Sequence, residues 1–327
     1  MKLFVTGGAG FIGSNFTRMV LNGQLSGLEG VEVTVFDALT YSGTLSNLES
    51  VAGSEQFRFV EGDIRDREAV NAALARHDAV VHFAAESHVD RSVKDSRIFV
   101  DTNVVGTQTL LDAALALNIP RFVHVSTDEV YGSIDEGSWD EAEPLLPNSP
   151  YAASKAASDL LVRSYFVTHG LNASITRCSN NYGTHHFPEK VIPLFITNLL
   201  DDLPVPLYGD GKNIRDWLHV DDHCRGIALV LQQGGAGDVY NIGGGTELSN
   251  TALTHLLLEA AGKDESFISH VADRKGHDRR YSVDIAKISR ELGYSPQVDF
   301  TAGLNDVVQW YRENRAWWEP LKEHSSL

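Results

Sequence analysis

Residues 123–132, VHVSTDEVYG, carry an apolar run straight into two adjacent acids, Asp128 and Glu129. Eliminating water from a substrate needs one base and one acid on the same molecule, so two carboxyl groups in opposite protonation states suit that chemistry. Neighbouring carboxyl groups that repel one another away from water separate in pKa, and the sequence leaves open which of them rises. In PNSPYAASK, Tyr151 and Lys155 stand four apart on a helix opened by Pro150, so both share one face. A cation beside a phenol favours the phenolate, which makes Tyr151 a candidate base near neutral pH. Taken alone, a Tyr/Lys pair is most often surface packing and an Asp-Glu dipeptide a turn cap beside a solvated acid. Their surroundings decide between the readings.

Those surroundings begin with VTGGAGFIG, which follows the first strand and opens the first helix, with Gly7, Gly10 and Gly13 three apart and Phe11 and Ile12 between them. Glycines here permit a tight turn and close approach of the backbone to a pyrophosphate, and the helix N-terminus supplies N–H donors. The same letters also fit Gly8-x-Gly10-x-x-Gly13, so spacing alone does not assign each glycine its job. The second strand, VEVTVFD, ends in Asp37, placed to accept hydrogen bonds from an adenosine ribose and to repel a 2′-phosphate. Ala38, Leu39 and Thr40 follow without an Arg, which favours NAD over NADP. GDIRD sets Asp63 and Ile64 after the third strand, either against an adenine or as a strand-capping turn.

The elements that must position these groups alternate strictly. KLFVTG, VEVTVFD, FRFVEGD, DAVVHFAAE, RFVHVST and ASITRCS read as strands, and 11–22, 66–75, 104–118 and 150–169 as helices. Alternation predicts an α/β protein, a doubly wound parallel Rossmann-type sheet. From about Ser179 the pattern loosens into a smaller mixed C-terminal substrate-binding region, with helices near 250–261 and 302–314. The expected division is 1–178 and 179–327, with a return segment near 217–245. Ligands of such sheets sit beyond the carboxyl ends of the strands.

The chain has 327 residues, 43% of them hydrophobic, and sets 27 Lys and Arg against 44 Asp and Glu for a formal charge of −17. That balance argues against nucleic acid or an anionic membrane as the main partner. An anionic ligand must then be held by local cations, and DRKGHDRR at 273–280 and Arg215 in NIRDW are the densest candidates. Cys178 and Cys224 lack CxxC spacing, no apolar stretch approaches the roughly 18 residues of a spanning helix, and no leader precedes the first strand. A reduced, cytoplasmic protein is expected. His185-His186 with Glu189, and DDHC at 221–224, have no zinc-site spacing and adjacent side chains diverge, so no metal is assigned. DDHC reads instead as a helix start, and the final KEHSSL as a frayed tail.

GxxGxxG, Thr127 and Tyr151-x-x-x-Lys155 resemble the extended short-chain dehydrogenase/reductases that act on nucleotide sugars. Within them, STDEVYG, FAAESHVDRS, RCSNNYG, PLYGDGKNIRDWLHVDDHCRG and DRKGHDRRY resemble the dTDP-glucose 4,6-dehydratases, over residues 1 to about 320. The resemblance implies dTDP-glucose as substrate and an internal redox cycle on NAD, with Tyr151, Lys155 and Thr127 oxidising C4, Glu129 taking the C5 proton and Asp128 protonating the departing C6 hydroxyl. It places Phe83, Ala84, Ala85, Thr102, Ser126 and Cys178 against the cofactor, and Asn181 near the nicotinamide. Ser87, Thr127 and Asn180 fall near the hexose, with His88 also on the substrate side. Arg215, Asn250, Arg274 and His277 are assigned to the diphosphate and nucleoside, Lys190 and Val191 to the same region, and Pro206, Leu207 and Tyr208 to the base. A homodimer built on helices 104–118 and 151–169 is implied as well.

A nucleotide-sugar 4-epimerase would share Tyr151, Lys155 and NAD but has no use for an acid and a base at C5 and C6, so Asp128 and Glu129 discriminate. A GDP-mannose-type 4,6-dehydratase usually prefers NADP, which Asp37 opposes. A non-catalytic dinucleotide sensor could dispense with Tyr151 and Lys155. For the elimination, the strand must end by about Thr127 and a turn must carry both acids to one side.

Overall fold

The computed structural model describes residues 1–323. In chain order its strands are β1 (Lys2–Thr6), β2 (Glu32–Asp37), β3 (Phe57–Glu61), β4 (Ala79–His82), β5 (Arg121–Thr127), β6 (Ala173–Cys178), β7 (Asn180–Tyr182), β8 (Val205–Tyr208), β9 (Ile214–His219), β10 (Val239–Ile242), β11 (Glu247–Ser249) and β12 (Ile268–Val271). Seven of them form one sheet in the order β10-β6-β5-β4-β1-β2-β3, and every pairing in it is parallel. Helices cover both faces, which is why Leu3, Phe4 and Val5 of β1 are all buried rather than alternating. The chain winds outward from β1 to β3, then restarts at β4 on the other side of β1. That reversal opens a crevice at the carboxyl ends of β1 and β4.

The helices start and stop where local chemistry dictates. Helix Pro150–His169 begins with Pro in its first turn and with the Ser149 hydroxyl accepting from Ala152 N at 3.1 Å, and it ends at left-handed Gly170. Helix Val220–Gln233 puts Asp221 and Asp222 in its first turn, as DDHC suggested, and His219 Nδ1 caps it by accepting from Asp221 N.

Beyond β6 a second apolar core forms around Leu253, Leu257, Val307, Tyr311 and Trp318, beside a three-stranded sheet β11-β9-β7 and the pair β12-β8. Within this half, β10 and helix Val220–Gln233 return to the large sheet.

Three expectations need correction. The helix expected over 104–118 begins earlier, as Arg97–Phe99, and passes through a π segment at Val100–Gly106 before the regular Thr107–Ala116. The wide turn brings Asn103 inward, where Nδ2 donates to the Glu86 carbonyl at 3.0 Å and to Ser154 Oγ at 2.8 Å. In the region after Ser179 where the pattern loosens, PEKVIPLFITNLL forms a further helix, Val191–Leu200, with Pro193 in the first turn, where its missing N–H leaves no bond unmade. The tail is ordered further than expected, since helix Arg315–Glu323 takes in the first two residues of KEHSSL and Lys322 Nζ meets Asp201 at 2.7 Å. The remaining four residues lie outside those described.

Of two tryptophans in this C-terminal part, Trp318 stays within its core and Trp317 reaches the rest of the fold. Trp318 donates to the Tyr311 carbonyl at 2.7 Å, and Trp317 to Asn47 Oδ1 at 3.1 Å, beyond the end of β2. No helix among the described residues is long and apolar enough to cross a membrane.

Candidate active site

Strand β5 stops at Thr127, and residues Asp128–Tyr131 form one 3₁₀ turn. The Thr127 hydroxyl drives the change, accepting from Glu129 N and donating to Asp128 Oδ1, each at 3.2 Å. Gly132 closes the turn at φ 84°, where an added Cβ would lie 2.4 Å from the Leu146 carbonyl oxygen. With three residues per turn, neighbouring side chains no longer point to opposite sides, and both acids line the same cleft.

The two carboxyl groups are not equivalent. Burial, then the charges of Glu129 and Asp216, push Asp128 well above the ordinary carboxylate range, against the opposing pull of Arg215 and the Thr127 hydroxyl. Burial also raises Glu129, but Arg274, Lys190 and Arg215 all act to lower it. The surroundings therefore favour keeping a proton on Asp128 rather than on Glu129. Asp128 Oδ2 is buried and has no hydrogen-bond partner among the described residues.

Tyr151 faces these acids and packs edge-on against Phe99, 6.4 Å between ring centres. Lys155 lines the cleft too, but its Nζ donates to the Val125 carbonyl at 2.8 Å, and burial lowers its pKa to about 8. The phenol is not depressed by the protein alone. Burial, then Glu129 and Cys178, hold Tyr151 well above its ordinary value, and the Thr127 hydroxyl only partly offsets them. The expectation drawn from the Tyr/Lys spacing fails in this respect because the sequence does not show how dry the site is.

At the other end of the cleft the glycine turn fits a pyrophosphate. Gly7 has φ +68°, and a Cβ there would sit 2.5 Å from Ala84 N; one on Gly13 would sit 2.3 Å from the Gly7 carbonyl oxygen. Turn, helix and the end of β4 are thus in backbone contact, leaving the helix N-terminus open to an anion. Asp37 accepts from Ala9 N and Leu39 N at 2.9 and 2.8 Å, which folds the loop that would meet a ribose. Leu39 is the one selected residue that does not line the cleft: it takes φ +47° and packs into the core. Asp63 does both things the sequence allowed, lining the cleft and capping a turn through Arg65, whose Nη2 it holds at 2.6 Å. Asn181 is oriented by His223, whose Nδ1 lies 2.9 Å from Asn181 Oδ1 and which burial keeps neutral, with a pKa near 3.

Phe11, Ile12, Thr102, Ser126 and Asn180 line the same cleft, as do Ser87, His88, Val191, Asn250 and the Pro206–Tyr208 strand. Of DRKGHDRR, only Arg274 and His277 reach it. Arg279 and Arg280 pair outside, with Asp210 at 2.9 Å and Glu247 at 2.6 Å. Arg215 lies over the Tyr281 ring, 4.2 Å from its centre. Tyr281, Trp217, Asp90 and Glu189 also line the cleft and were not anticipated. Strand alternation could have found Trp217, two residues beyond Arg215 on β9. The histidine pair diverges: His186 stacks on Phe11, 4.0 Å between ring centres, while His185 sits against Trp310 and Trp317.

Comparison with known proteins agrees with this geometry. The family described as GDP-mannose 4,6 dehydratase matches residues 4–307. A dTDP-glucose 4,6-dehydratase of Actinoplanes sp. is 62% identical over 97% of this chain and all of its own. The crystal structure of DesIV, a dTDP-glucose 4,6-dehydratase from Streptomyces venezuelae with NAD and TYD bound, superposes with a TM-score of 0.97 at 61% identity, covering 98% of this chain and 100% of that one. A UDP-glucose 4-epimerase from Thermotoga maritima gives a TM-score of 0.88 at 30% identity, covering 96% and 100%. The chain belongs to the GDP-mannose 4,6 dehydratase family of extended short-chain dehydrogenase/reductases, and within it to the dTDP-glucose 4,6-dehydratases.

Proposed function

We propose that the protein converts dTDP-glucose to dTDP-4-keto-6-deoxyglucose, and that residues 1–178, with the return near 217–245, hold the NAD. The observation that carries this reading is the single 3₁₀ turn that brings Asp128 and Glu129 into one cleft beside Tyr151. NAD, when bound, supplies a positive ring that favours the Tyr151 phenolate, accepts the C4 hydride and returns it at C6. Tyr151 removes the O4 proton, with Thr127 beside it and the Lys155 charge behind it. The resulting 4-ketone acidifies C5–H. Glu129, ionised among its three cations, takes that proton, while Asp128 gives its own to the C6 hydroxyl, which leaves as water. Hydride arrival at C6 then lets Glu129 return the proton to C5.

An epimerase has no use for this acid–base pair, although the fold is shared. Asp37 favours NAD over NADP, and Arg65 of the same cleft is already held by both oxygens of Asp63. Val105, exposed on the π segment, and Leu160 and Val167, exposed on helix Pro150–His169, support a homodimer through these faces, and two free buried cysteines suit a reducing cytoplasm. A solution mass of one 35.9 kDa chain would contradict the dimer.

Glu129→Gln separates the steps. It should still oxidise C4, accumulating reduced cofactor, while exchange of the C5 proton with solvent deuterium falls by about 10²–10⁴-fold. Undiminished exchange would remove Glu129 as the base.

Asp128→Asn should lose dehydration by a comparable factor and yet be more stable. A carboxyl group whose folded pKa is raised contributes stability that is complete below its unfolded pKa, about 4, and is lost as pH climbs to the folded value. The variant lacks that loss. Its Tm should therefore exceed that of the wild type by a margin that grows from pH 4 upward. A margin that is constant or shrinks with pH would show that Asp128 is not held protonated.

A further inference from the structure

Three loops border the cofactor half of the cleft. Thr40, Ser42 and Gly43 follow β2, Glu86 to His88 follow β4, and His186, Phe187 and Glu189 follow β7. They converge on one buried carboxylate. Glu189, with its side chain only 2% exposed, accepts from the Tyr41 hydroxyl on Oε1 at 3.0 Å and from Arg91 Nε on Oε2 at 3.3 Å. The Arg91 guanidinium also lies over the Tyr41 ring, 4.0 Å from its centre, and Phe187 meets that ring edge-on at 5.7 Å. His88 Nε2 stands 3.9 Å from Oε2, but burial keeps this histidine neutral, so Arg91 supplies the balancing charge.

None of these groups has a part in the proton transfers described above, and a buried charge retained without a chemical task calls for a reason. Their placement gives one. Tyr41 stands on the loop that Asp37 folds for the adenosine ribose, whereas Glu189 stands on the loop whose His186 stacks on Phe11 at the start of the first helix. A dinucleotide lying along the Gly7–Gly13 turn and reaching Asp37 would border both loops, since Thr40, Ser42 and Gly43 of one and His186, Phe187 and Glu189 of the other line the same cleft. The Tyr311 hydroxyl, bonded to the His186 carbonyl, fixes the second loop from outside.

We infer that Tyr41, Glu189 and Arg91 form a clasp over bound NAD, so that the cofactor leaves only when the clasp opens. This inference rests on the NAD reading above, not on the identity of the sugar. The reaction makes such a device useful, because the hydride taken from C4 must be returned to the same molecule. A cofactor lost midway would leave a stranded keto intermediate and an enzyme without its hydride.

The test uses the full-length protein loaded with isotopically labelled NAD and diluted into a large excess of unlabelled NAD, following the label retained with time. Tyr41→Phe, Glu189→Gln and Arg91→Met should each release NAD at least about tenfold faster than the wild type, the scale of a lost hydrogen bond to a charged group. Tyr41→Phe combined with Glu189→Ala should be no faster than Glu189→Ala alone, since removing the carboxylate already removes the Tyr41 bond. Tyr41→Phe changes a single oxygen, so its result stands even if a Glu189 variant does not fold. With NAD in excess, turnover by Tyr41→Phe should match the wild type. Release rates equal to the wild type in the variants would overturn the clasp. A wild type that retains no label would overturn the cofactor reading itself, which is a separate outcome.

Discussion

Two carboxyl groups adjacent in the chain and shut away from water repel one another, and this repulsion organises the site. Burial disfavours the charged form of each, and at Asp128 the Glu129 charge adds to that effect. One of the pair must then keep its proton, and the protein decides which by where it puts its cations. Arg274, Lys190 and Arg215 offset Glu129, whereas Asp128 has the Asp216 carboxylate near it and a single opposing cation in Arg215. On the proposed mechanism, acid and base thus come from one kind of residue. In a chain of net charge −17, concentrating cations at this end of the sheet is what makes the difference possible.

Such a pair works only if the turn carrying it cannot relax. The 3₁₀ turn is anchored from below by Tyr131, whose hydroxyl donates to Asn241 Oδ1 at 2.9 Å and accepts from Arg177 at 2.7 Å. Arg177 in turn holds Asp159 at 2.9 Å, one helical turn beyond Lys155. Strand end, turn and helix Pro150–His169 are therefore joined by a buried chain of charged hydrogen bonds, which is costly to leave half-made and fixes one arrangement. The order β10-β6-β5-β4-β1-β2-β3 supplies the rest, placing the end of β5 opposite the glycine turn after β1, on either side of the crevice.

Much of this was legible in the sequence because it depends on local rules. Ser149-Pro150 and Gly170 bound the catalytic helix, the glycines follow the first strand, and the two acids follow the fifth. What escaped depends on burial and on contacts distant along the chain. The spacing of Tyr151 and Lys155 shows a shared face but not that Lys155 reaches a backbone carbonyl, nor that desolvation outweighs it at the phenol. DRKGHDRR shows charge but not that Asp210 and Glu247, distant in sequence, take up its last two arginines. In the sequence Glu189 stands beside His185-His186 in a cluster without zinc-site spacing; only the meeting of three loops shows it to be the partner of Tyr41 and Arg91. The π segment at 100–106 has no local signal, since what requires it is Asn103 turning inward to Glu86 and Ser154.

The central claim is the split of protonation between Asp128 and Glu129 in the resting cleft. Carbon-13 NMR of protein labelled at its aspartate and glutamate carboxyl carbons, with Asp128→Asn and Glu129→Gln used for assignment, reads that split directly. Asp128 should keep the protonated chemical shift to a higher pH than Glu129, which should ionise first. Titration of Asp128 in the ordinary carboxylate range near about 4, at or below Glu129, would contradict the assignment of acid and base.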